Sequence, residues 1–327
     1  MLTQTNHKET FRFVPTTSTP VSPERVAELL KSEWELFTKQ TGKSAEESKR
    51  SFKSLPLGVT SSFQHWDPYP ISIASAKGAW MTDVDGRQLL DLSMGFGAML
   101  AGHLNPVIVE EVKKALESGT LFVTPSPIST DAAERICRRF GIDQVRFTNS
   151  GTESTMYAVR TARAATDKNA IVKIEGGYHG SYDPFVVSSK PPIDKIGEVS
   201  DPIAHVPAGI IPGEIYVVSY NDADGLERIF KAHADTIACF IVEPVLENLG
   251  IVLPDEGYLE RVRELCDQYN VVLIFDEVKT GLTAGHQGAA QRLGVTPDLI
   301  TLAKSIGGGL TLAAFGTILS CITLFSS

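Results

Sequence analysis

Short apolar runs alternate with amphipathic segments from Asn105 onward. Four strands are predicted, at 145–149 (VRFTN), 170–175 (AIVKIE), 236–243 (TIACFIVE) and 271–277 (VVLIFDE). Five helices are predicted, at about 106–118, 131–140, 152–165, 225–233 and 257–269. Continuous apolar strands separated by helices are typical of a mostly parallel sheet that is covered on both faces, with right-handed crossovers. The pattern therefore predicts an α/β fold.

The first ninety residues have a different pattern. Ser22-Pro23-Glu24 predicts a helix start, with an apolar face formed by Val26, Leu29, Leu30, Trp34 and Phe37 and an end at Gly42. The capping-box sequence at 44–47 predicts a second helix that stops before Pro56. Three short strands within 71–92, with a turn at Asp85-Gly86, predict a small antiparallel meander.

These patterns divide the chain into four parts. A loose polar arm is expected at 1–20, helices and meander at 21–92, the α/β domain at 93–316 and an atypical apolar tail at 317–327. Within the α/β domain, residues 190–215 are rich in Pro, Gly and Ile and predict a long irregular connection.

Composition and charge exclude several classes of partner. Hydrophobic residues make up 43% of the 327, enough for a large core, and the formal net charge is −9 without a basic run. Neither nucleic acid nor an anionic membrane is expected as a main partner, although a local phosphate site is compatible with this charge. No apolar run reaches the ~20 residues of a membrane helix, and no secretory signal is visible, so a cytoplasmic location is expected.

The four cysteines have no metal-ligand spacing. Cys137, Cys239 and Cys266 lie in apolar periodic segments and are expected to be buried reduced thiols, and Cys321 lies near the end of the chain. Reduced thiols fit a reducing compartment.

Polar residues follow the predicted strands where ligands bind in parallel sheets, at the carboxyl edge. Ser150, Gly151 and Thr152 lie between a strand and a helix start, where free amides favour an anion such as phosphate. An ordinary helix cap explains the same residues. Tyr178 lies in a glycine-flanked turn and could stack on a planar ring or simply pack on its loop; His179 beside it is a weaker candidate.

Two charged residues in apolar surroundings suggest the chemistry. Asp276 ends the strand VVLIF, where a carboxylate needs a cation such as a protonated pyridine nitrogen; pairing with an arginine or capping a loop are the alternatives. Lys304 follows the apolar DLITLA and precedes three glycines. In a dry pocket its pKa would fall and give an amine that forms imines, whereas otherwise it would extend to solvent.

Five segments together resemble the class III aminotransferases of fold type I, most closely the glutamate-1-semialdehyde aminomutase branch. They are RFTNSGTES (146–154), GGYHGSYDPF (176–185), IVEPVLENLG (241–250), LIFDEVKTG (273–281) and PDLITLAKSIGGGL (297–310). The resemblance implies a pyridoxal 5'-phosphate (PLP) enzyme that transfers amino groups between an amino acid or amine and an oxo acid. It also implies a homodimer.

The resemblance also implies residue roles. Ser150, Gly151 and Thr152 would hold the cofactor phosphate. The other implied roles are ring stacking by Tyr178, packing behind the ring by Val278, a pair between Asp276 and the ring nitrogen, proximity to the 3-oxygen for Asn248, an active-site position for the acid Glu243, and the internal aldimine and proton shuttle for Lys304.

Two departures from the family pattern are visible. The stretch GVTSSFQ (58–64) ends in Gln64 where aminomutases have an arginine that binds the substrate carboxylate, which disfavours glutamate semialdehyde as substrate. Family members continue past AAFG (313–316) into a small domain, whereas TILSCITLFSS follows here. We expect a chain without that domain, in which the tail takes the place of an antiparallel strand. An inactive fragment that at most binds cofactor or a partner subunit is the alternative to an enzyme.

Overall fold

The computed structural model describes residues 22–317. Ten α-helices are found in this part of the chain: α1 Pro23–Gln40, α2 Gly42–Ser51, α3 Pro106–Ser118, α4 Pro127–Phe140, α5 Gly151–Thr166, α6 Asp183–Val186, α7 Ala223–His233, α8 Tyr258–Tyr269, α9 Thr280–Thr283 and α10 Gly288–Leu293. The expected arm at 1–20, the tail beyond Thr317 and Cys321 lie outside the described residues.

The described residues also form twelve strands. They are β1 Ile73–Lys77, β2 Trp80–Asp83, β3 Gln88–Leu90, β4 Gln144–Thr148, β5 Ala170–Ile174, β6 Gly197–Glu198, β7 Asp201–Pro202, β8 Ile215–Val218, β9 Ile237–Val242, β10 Val272–Asp276, β11 Leu299–Leu302 and β12 Ala313–Thr317.

A seven-stranded sheet in the order β4-β12-β11-β10-β9-β5-β8 forms the centre of the α/β domain. The five strands from β11 to β8 are parallel, which confirms the predicted mostly parallel sheet. Strand β12 runs antiparallel to both of its neighbours, β4 and β11. The expectation that the tail would supply the antiparallel strand needs correction, because AAFGT itself forms this strand.

Helices cover both faces of this sheet, as its continuous apolar strands require. On one face, Leu226 of α7 and Leu265 of α8 pack with Phe240 and Phe275 of the sheet. On the other face, Ala158 and its apolar neighbours on α5 pack against alternate residues of β5, β9 and β10. Burying one such leucine or phenylalanine stabilises the fold by about 1.5–3 kcal/mol, so the two layers fix the strand ends relative to one another.

Several boundaries differ from the predictions. Gly42 does not end α1; it begins α2, which also starts before the predicted capping box at 44–47. Helix α4 begins at Pro127, four residues before the predicted start, because proline is favourable in the first turn. The connection at 190–215 contains the short pair β6 and β7, and β8 begins at its end.

Contacts divide the chain into two compact units. The first contains the described residues up to Ser75 together with Met81–Leu89, and the second contains Ala76–Trp80 and the chain from Leu90 onward. In the first unit, the Ser44 hydroxyl of α2 donates to the Asp85 carboxylate over 2.7 Å, whereas α1 buries no residue. The three-stranded sheet has the order β1-β2-β3, as predicted for the meander.

Two further expectations concern membranes and cysteines. Between residues 22 and 317, no helix combines the length and the apolar character needed to cross a bilayer. Cys239 and Cys266 are buried free thiols as predicted, whereas Cys137 is only partly buried. Burial raises the pKa of the Cys239 thiol to about 12, so this thiol is unreactive.

Candidate active site

A cavity of about 230 Å³ opens at the carboxyl edge of the central sheet. It is lined by all ten residues that the sequence singled out: Ser150, Gly151, Thr152, Tyr178, His179, Glu243, Asn248, Asp276, Val278 and Lys304. Parallel strands bring their carboxyl ends to one edge, which is why segments far apart in sequence meet here.

The start of α5 forms one wall of the cavity. The Ser150 hydroxyl accepts from the Glu153 amide over 3.2 Å, and the Glu153 carboxylate accepts from the Asn149 amide over 2.8 Å, so the helix begins with a reciprocal cap. The ordinary-cap interpretation of Ser150 is therefore correct for its hydroxyl. The amides of Gly151 and Thr152 lie in the first turn, where no helical carbonyl precedes them, and they can still bind an anion.

Glycine is required beside this helix start by close packing. A Cβ at Gly151 would lie 3.1 Å from Val278 Cγ1, and one at Gly180, whose φ is +106°, would collide with the Thr152 side chain. The Thr152 hydroxyl also accepts from the Ser181 amide over 3.2 Å. The loop after β5 is thus held against the first turn of α5.

Asp276 lies at the end of β10 with 4% of its surface exposed. His179 Nδ1 donates to Asp276 Oδ2 over 2.7 Å, and Oδ1 accepts from the Val278 amide and the Thr301 hydroxyl. No arginine partner is found among the described residues, which removes one structural alternative for this carboxylate. The other ring nitrogen, His179 Nε2, is buried and has no hydrogen-bond partner among residues 22–317.

Glu243 also lines the cavity. Its Oε1 accepts from the Asn248 side-chain amide over 2.9 Å and from the Tyr178 backbone amide over 3.4 Å. Burial raises the pKa of this carboxyl, and the nearby charges of His179 and Asp276 act in opposite directions on it. Glu243 therefore orients two residues of the predicted site.

Lys304 begins the turn after β11 with a φ of +49°, a backbone conformation that is uncommon for residues other than glycine. Desolvation lowers the pKa of its amine, and the charge of Lys279 acts in the same direction, while Asp276 and Glu243 oppose this effect. No hydrogen bond or ion pair of this amine is found within the described residues. A half-buried amine whose pKa is lowered by desolvation, lying in a cavity, is suited to nucleophilic attack on a carbonyl.

The arrangement fits PLP. First-turn amides suit its phosphate, the buried Asp276 suits a protonated ring nitrogen, and Lys304 suits its aldehyde. A Cβ at Gly151 would press on Val278 and Ala303, two residues that also line the cavity.

Some residues of the site were not predicted. Thr301 bonds to Asp276, and it is the one polar residue within the apolar LITL, opposite Asp276 in the register of β10 and β11. Lys279 lines the cavity next to Val278. Thr155 donates to the His179 carbonyl over 2.7 Å and so fixes the loop that carries the histidine.

Gln64 lies exposed in the first unit, where it accepts from the Thr60 hydroxyl.

Comparison with known proteins gives a consistent family. Residues 62–326 match the family described as aminotransferase class-III. The glutamate-1-semialdehyde 2,1-aminomutase of Methanocella arvoryzae is 42% identical over 272 residues, which are 83% of this chain and 62% of that protein. That of Salinibacter ruber is 39% identical over 82% of this chain and 61% of its own length.

Solved structures agree with this assignment. An omega-transaminase from Sphaerobacter thermophilus superposes with a TM-score of 0.83 at 37% identity, covering 86% of this chain and 65% of that one. A glutamate-1-semialdehyde aminomutase from Pseudomonas aeruginosa superposes with a TM-score of 0.84 at 28% identity, covering 92% and 66%. The chain thus spans slightly less than two thirds of the length of the aminomutases that it matches in sequence. On the family match and these likenesses, the chain belongs to the class III aminotransferases.

Proposed function

We propose that this chain binds PLP and transfers amino groups, with Lys304 as the residue that bonds to the cofactor. The observation that carries the proposal is the meeting of Lys304, Asp276 and the first turn of α5 in one cavity. Solved structures that the chain resembles include a transaminase with PLP bound, at 34% identity and a TM-score of 0.81.

Each residue has a defined part in this proposal. The amides of Gly151 and Thr152 would bind the phosphate, and the Ser150 hydroxyl could donate to it while its oxygen accepts from the Glu153 amide. Asp276 would accept from the ring nitrogen and keep it protonated. Tyr178 and Val278 would pack on the ring, and Asn248 would lie near its 3-oxygen, because all three line the cavity. His179 donates to Asp276 and keeps that carboxylate oriented.

When bound, PLP supplies an aldehyde that condenses with amines and a ring that withdraws electrons from the adjacent carbon. Lys304 would then remove and return a proton at that carbon, and the desolvation that lowers the pKa of its amine favours the unprotonated form that this needs. Glu243 holds the loop of Tyr178 in place during these steps.

A direct test uses the whole chain. Added PLP should give an absorption band at about 420 nm. After reduction with borohydride, mass spectrometry should find the cofactor attached to the peptide that contains Lys304. Lys304→Ala should lose the band and the attached cofactor, whereas in Lys279→Ala the cofactor should still be found on Lys304. A folded protein that takes up no PLP would refute the proposal and favour an inactive fragment.

The reaction is proposed as transfer between two molecules, an amino acid or amine and an oxo acid. The aminomutase relatives favour the second candidate, an exchange within one substrate, and the neutral amide of Gln64 disfavours it. Turnover of an amino acid should require an added oxo acid. Turnover of glutamate semialdehyde without one would establish the mutase reaction instead.

A homodimer is proposed from the exposed apolar surface between residues 92 and 128. Val107 of α3 is 70% exposed and Leu121 is 87% exposed, and neighbouring leucines and phenylalanines are also uncovered. Large apolar side chains exposed in such number within one segment are typical of subunit interfaces. Val107→Asp with Leu121→Asp should shift sedimentation from dimer to monomer, while Ile211→Asp, in the long connection, should not. Unchanged sedimentation of the double variant would refute this interface.

A reducing compartment such as the cytoplasm is also proposed, because Cys239 and Cys266 are free thiols. Fractionation of the cells that make the protein would test it, and recovery from an oxidising compartment would refute it.

A further inference from the structure

Lys173 is fully buried in the central sheet, where a charged side chain is unusual. It lies on β5 between the apolar Val172 and Ile174, with β8 and β9 on either side. Burial lowers the pKa of its amine to about 7, because the charged form loses its hydration. The amine therefore gains and loses its proton near neutral pH.

The amine of Lys173 holds the segment that follows α6. Its Nζ donates to the Val187 carbonyl over 2.7 Å, and the carbonyl of the next residue, Ser188, accepts from the Gly176 amide over 2.7 Å. Ser188 is buried with a φ of +46°, so its conformation depends on these neighbours. Lys173 and Gly176 thus bind the same two-residue segment, and Gly176 begins the loop that carries Tyr178.

Two carboxylates act on the charge of Lys173. Glu175 directly follows β5, and Glu243 directly follows the neighbouring strand β9; both favour the charged amine and oppose the effect of burial. From the segment after α6, the Val187 carbonyl accepts a hydrogen bond from this amine. Glu175 Oε1 and Glu243 Oε2 are buried without a hydrogen-bond partner within residues 22–317, so a nearby positive charge is their source of compensation.

We propose that Lys173 is a positioning residue of the candidate active site. Its amine anchors the segment packed on the loop that carries Tyr178, and its charge interacts with the carboxyl of Glu243, which holds Tyr178 and Asn248. The inference rests on the proposed function, because the placement of Tyr178 matters to chemistry only if this residue contacts the cofactor.

The first test measures the anchor without any cofactor. Lys173→Met keeps most of the length of the unbranched side chain but removes the donor and the charge, and Lys231→Met, at an exposed position of α7, is the matched control. Hydrogen exchange of the Gly176 amide should be about tenfold faster in Lys173→Met than in the control. If Lys173→Met does not fold, Lys173→Gln, a shorter neutral donor, is measured in the same way.

The second test measures the dissociation constants of PLP and of inorganic phosphate between about pH 6 and pH 9. PLP affinity of the unaltered chain should fall as the pH rises through about 7, because Lys173 then loses its charge. Lys173→Met and Lys173→Gln should bind PLP about tenfold more weakly, without this pH step, and should bind phosphate normally.

Unchanged Gly176 exchange together with an unchanged pH profile of PLP binding would overturn the inference. Faster exchange in a chain that never binds PLP would refute the proposed function but retain the anchor.

Discussion

Asp276 and Glu277 are adjacent buried carboxylates that serve different regions of the molecule. Asp276 lines the cavity and bonds to His179 and Thr301. The Glu277 side chain contacts α9 and α10 instead, where its carboxylate accepts from the amides of Ala289 and Ala290 and from the Thr280 hydroxyl. It thereby caps the start of α10.

The comparison shows that burial after a strand does not by itself identify a functional acid. The Glu277 acceptor oxygens are all used by backbone and hydroxyl donors of the fold, whereas Asp276 faces a cavity that also contains an amine. The partners of each carboxylate, and not its depth, separate a site residue from a structural one.

The largest effect is expected for Asp276→Ala. Without this carboxylate the ring nitrogen of the proposed cofactor loses its charge partner, so the rate of amino-group transfer should fall by about 10²–10³-fold. Steady-state kinetics with saturating PLP would measure it. Asp276→Asn, which keeps the volume and removes the charge, should be similarly slow; an active Asn variant would contradict the role of the charge.

Glu277→Ala is the matched change on the other side. It leaves two amides and a hydroxyl without an acceptor, so the free energy of unfolding should fall by about 3 kcal/mol. Chemical denaturation monitored by circular dichroism would measure this. Folded Glu277→Ala should still bond PLP to Lys304, and a loss of that bond in folded protein would erase the distinction between the two acids.

A smaller effect is expected for Glu277→Gln, because the amide oxygen can still accept hydrogen bonds. Its main consequence should be a change in how stability depends on pH. Burial raises the pKa of the Glu277 carboxyl above its ordinary value of 4.5. Between pH 4.5, where the carboxyl titrates in the unfolded chain, and the higher pKa of the folded state, only the folded protein holds this proton. The free energy of unfolding therefore falls as the pH rises through this window. In Glu277→Gln it should fall less steeply across that window, as denaturation at a series of pH values would show. Parallel curves for the two proteins would contradict this.

The smallest effect is expected for Thr301→Val. The hydroxyl donates one of the hydrogen bonds to Asp276, and its loss should cost about 1 kcal/mol, or about fivefold in rate. Kinetics at saturating PLP would measure this change, with Thr283→Val on α9 as the exposed control. A loss as large as that of Asp276→Ala would mean that Thr301 has a second role.

The sequence was sufficient to predict which residues meet at the cavity. Most of them lie next to the carboxyl end of a predicted apolar strand, and parallel strands end at one edge, so position along the chain translated into position in space. Lys304 follows an apolar segment that was not predicted as a strand, and Asn248 was implied only by the family resemblance. The mutual orientation of Asp276 and Glu277 was less accessible, because it depends on α10, whose start at Gly288 has no strong apolar period.

Other elements were missed for identifiable reasons. Strand β11 is four residues long and its apolar run does not distinguish a strand from a buried helix. Strand β12 contains two alanines and a glycine, residues with low strand propensity, and it forms only because β4 and β11 pair with both of its edges. The exposed apolar face of α1 could not be foreseen either, since a helical period shows a face but not what covers it.

The position of β12 affects how the protein is made. Thr148 of β4 pairs with Ala313 of β12, and among residues 22–317 no other strand pairs with β4. As the ribosome releases the chain from its amino end, β4 emerges early and must wait, unpaired, until nearly all of the α/β domain has been synthesised. Completion of the sheet is therefore a late event in biogenesis, and nascent chains arrested before residue 313 should present β4 to chaperones.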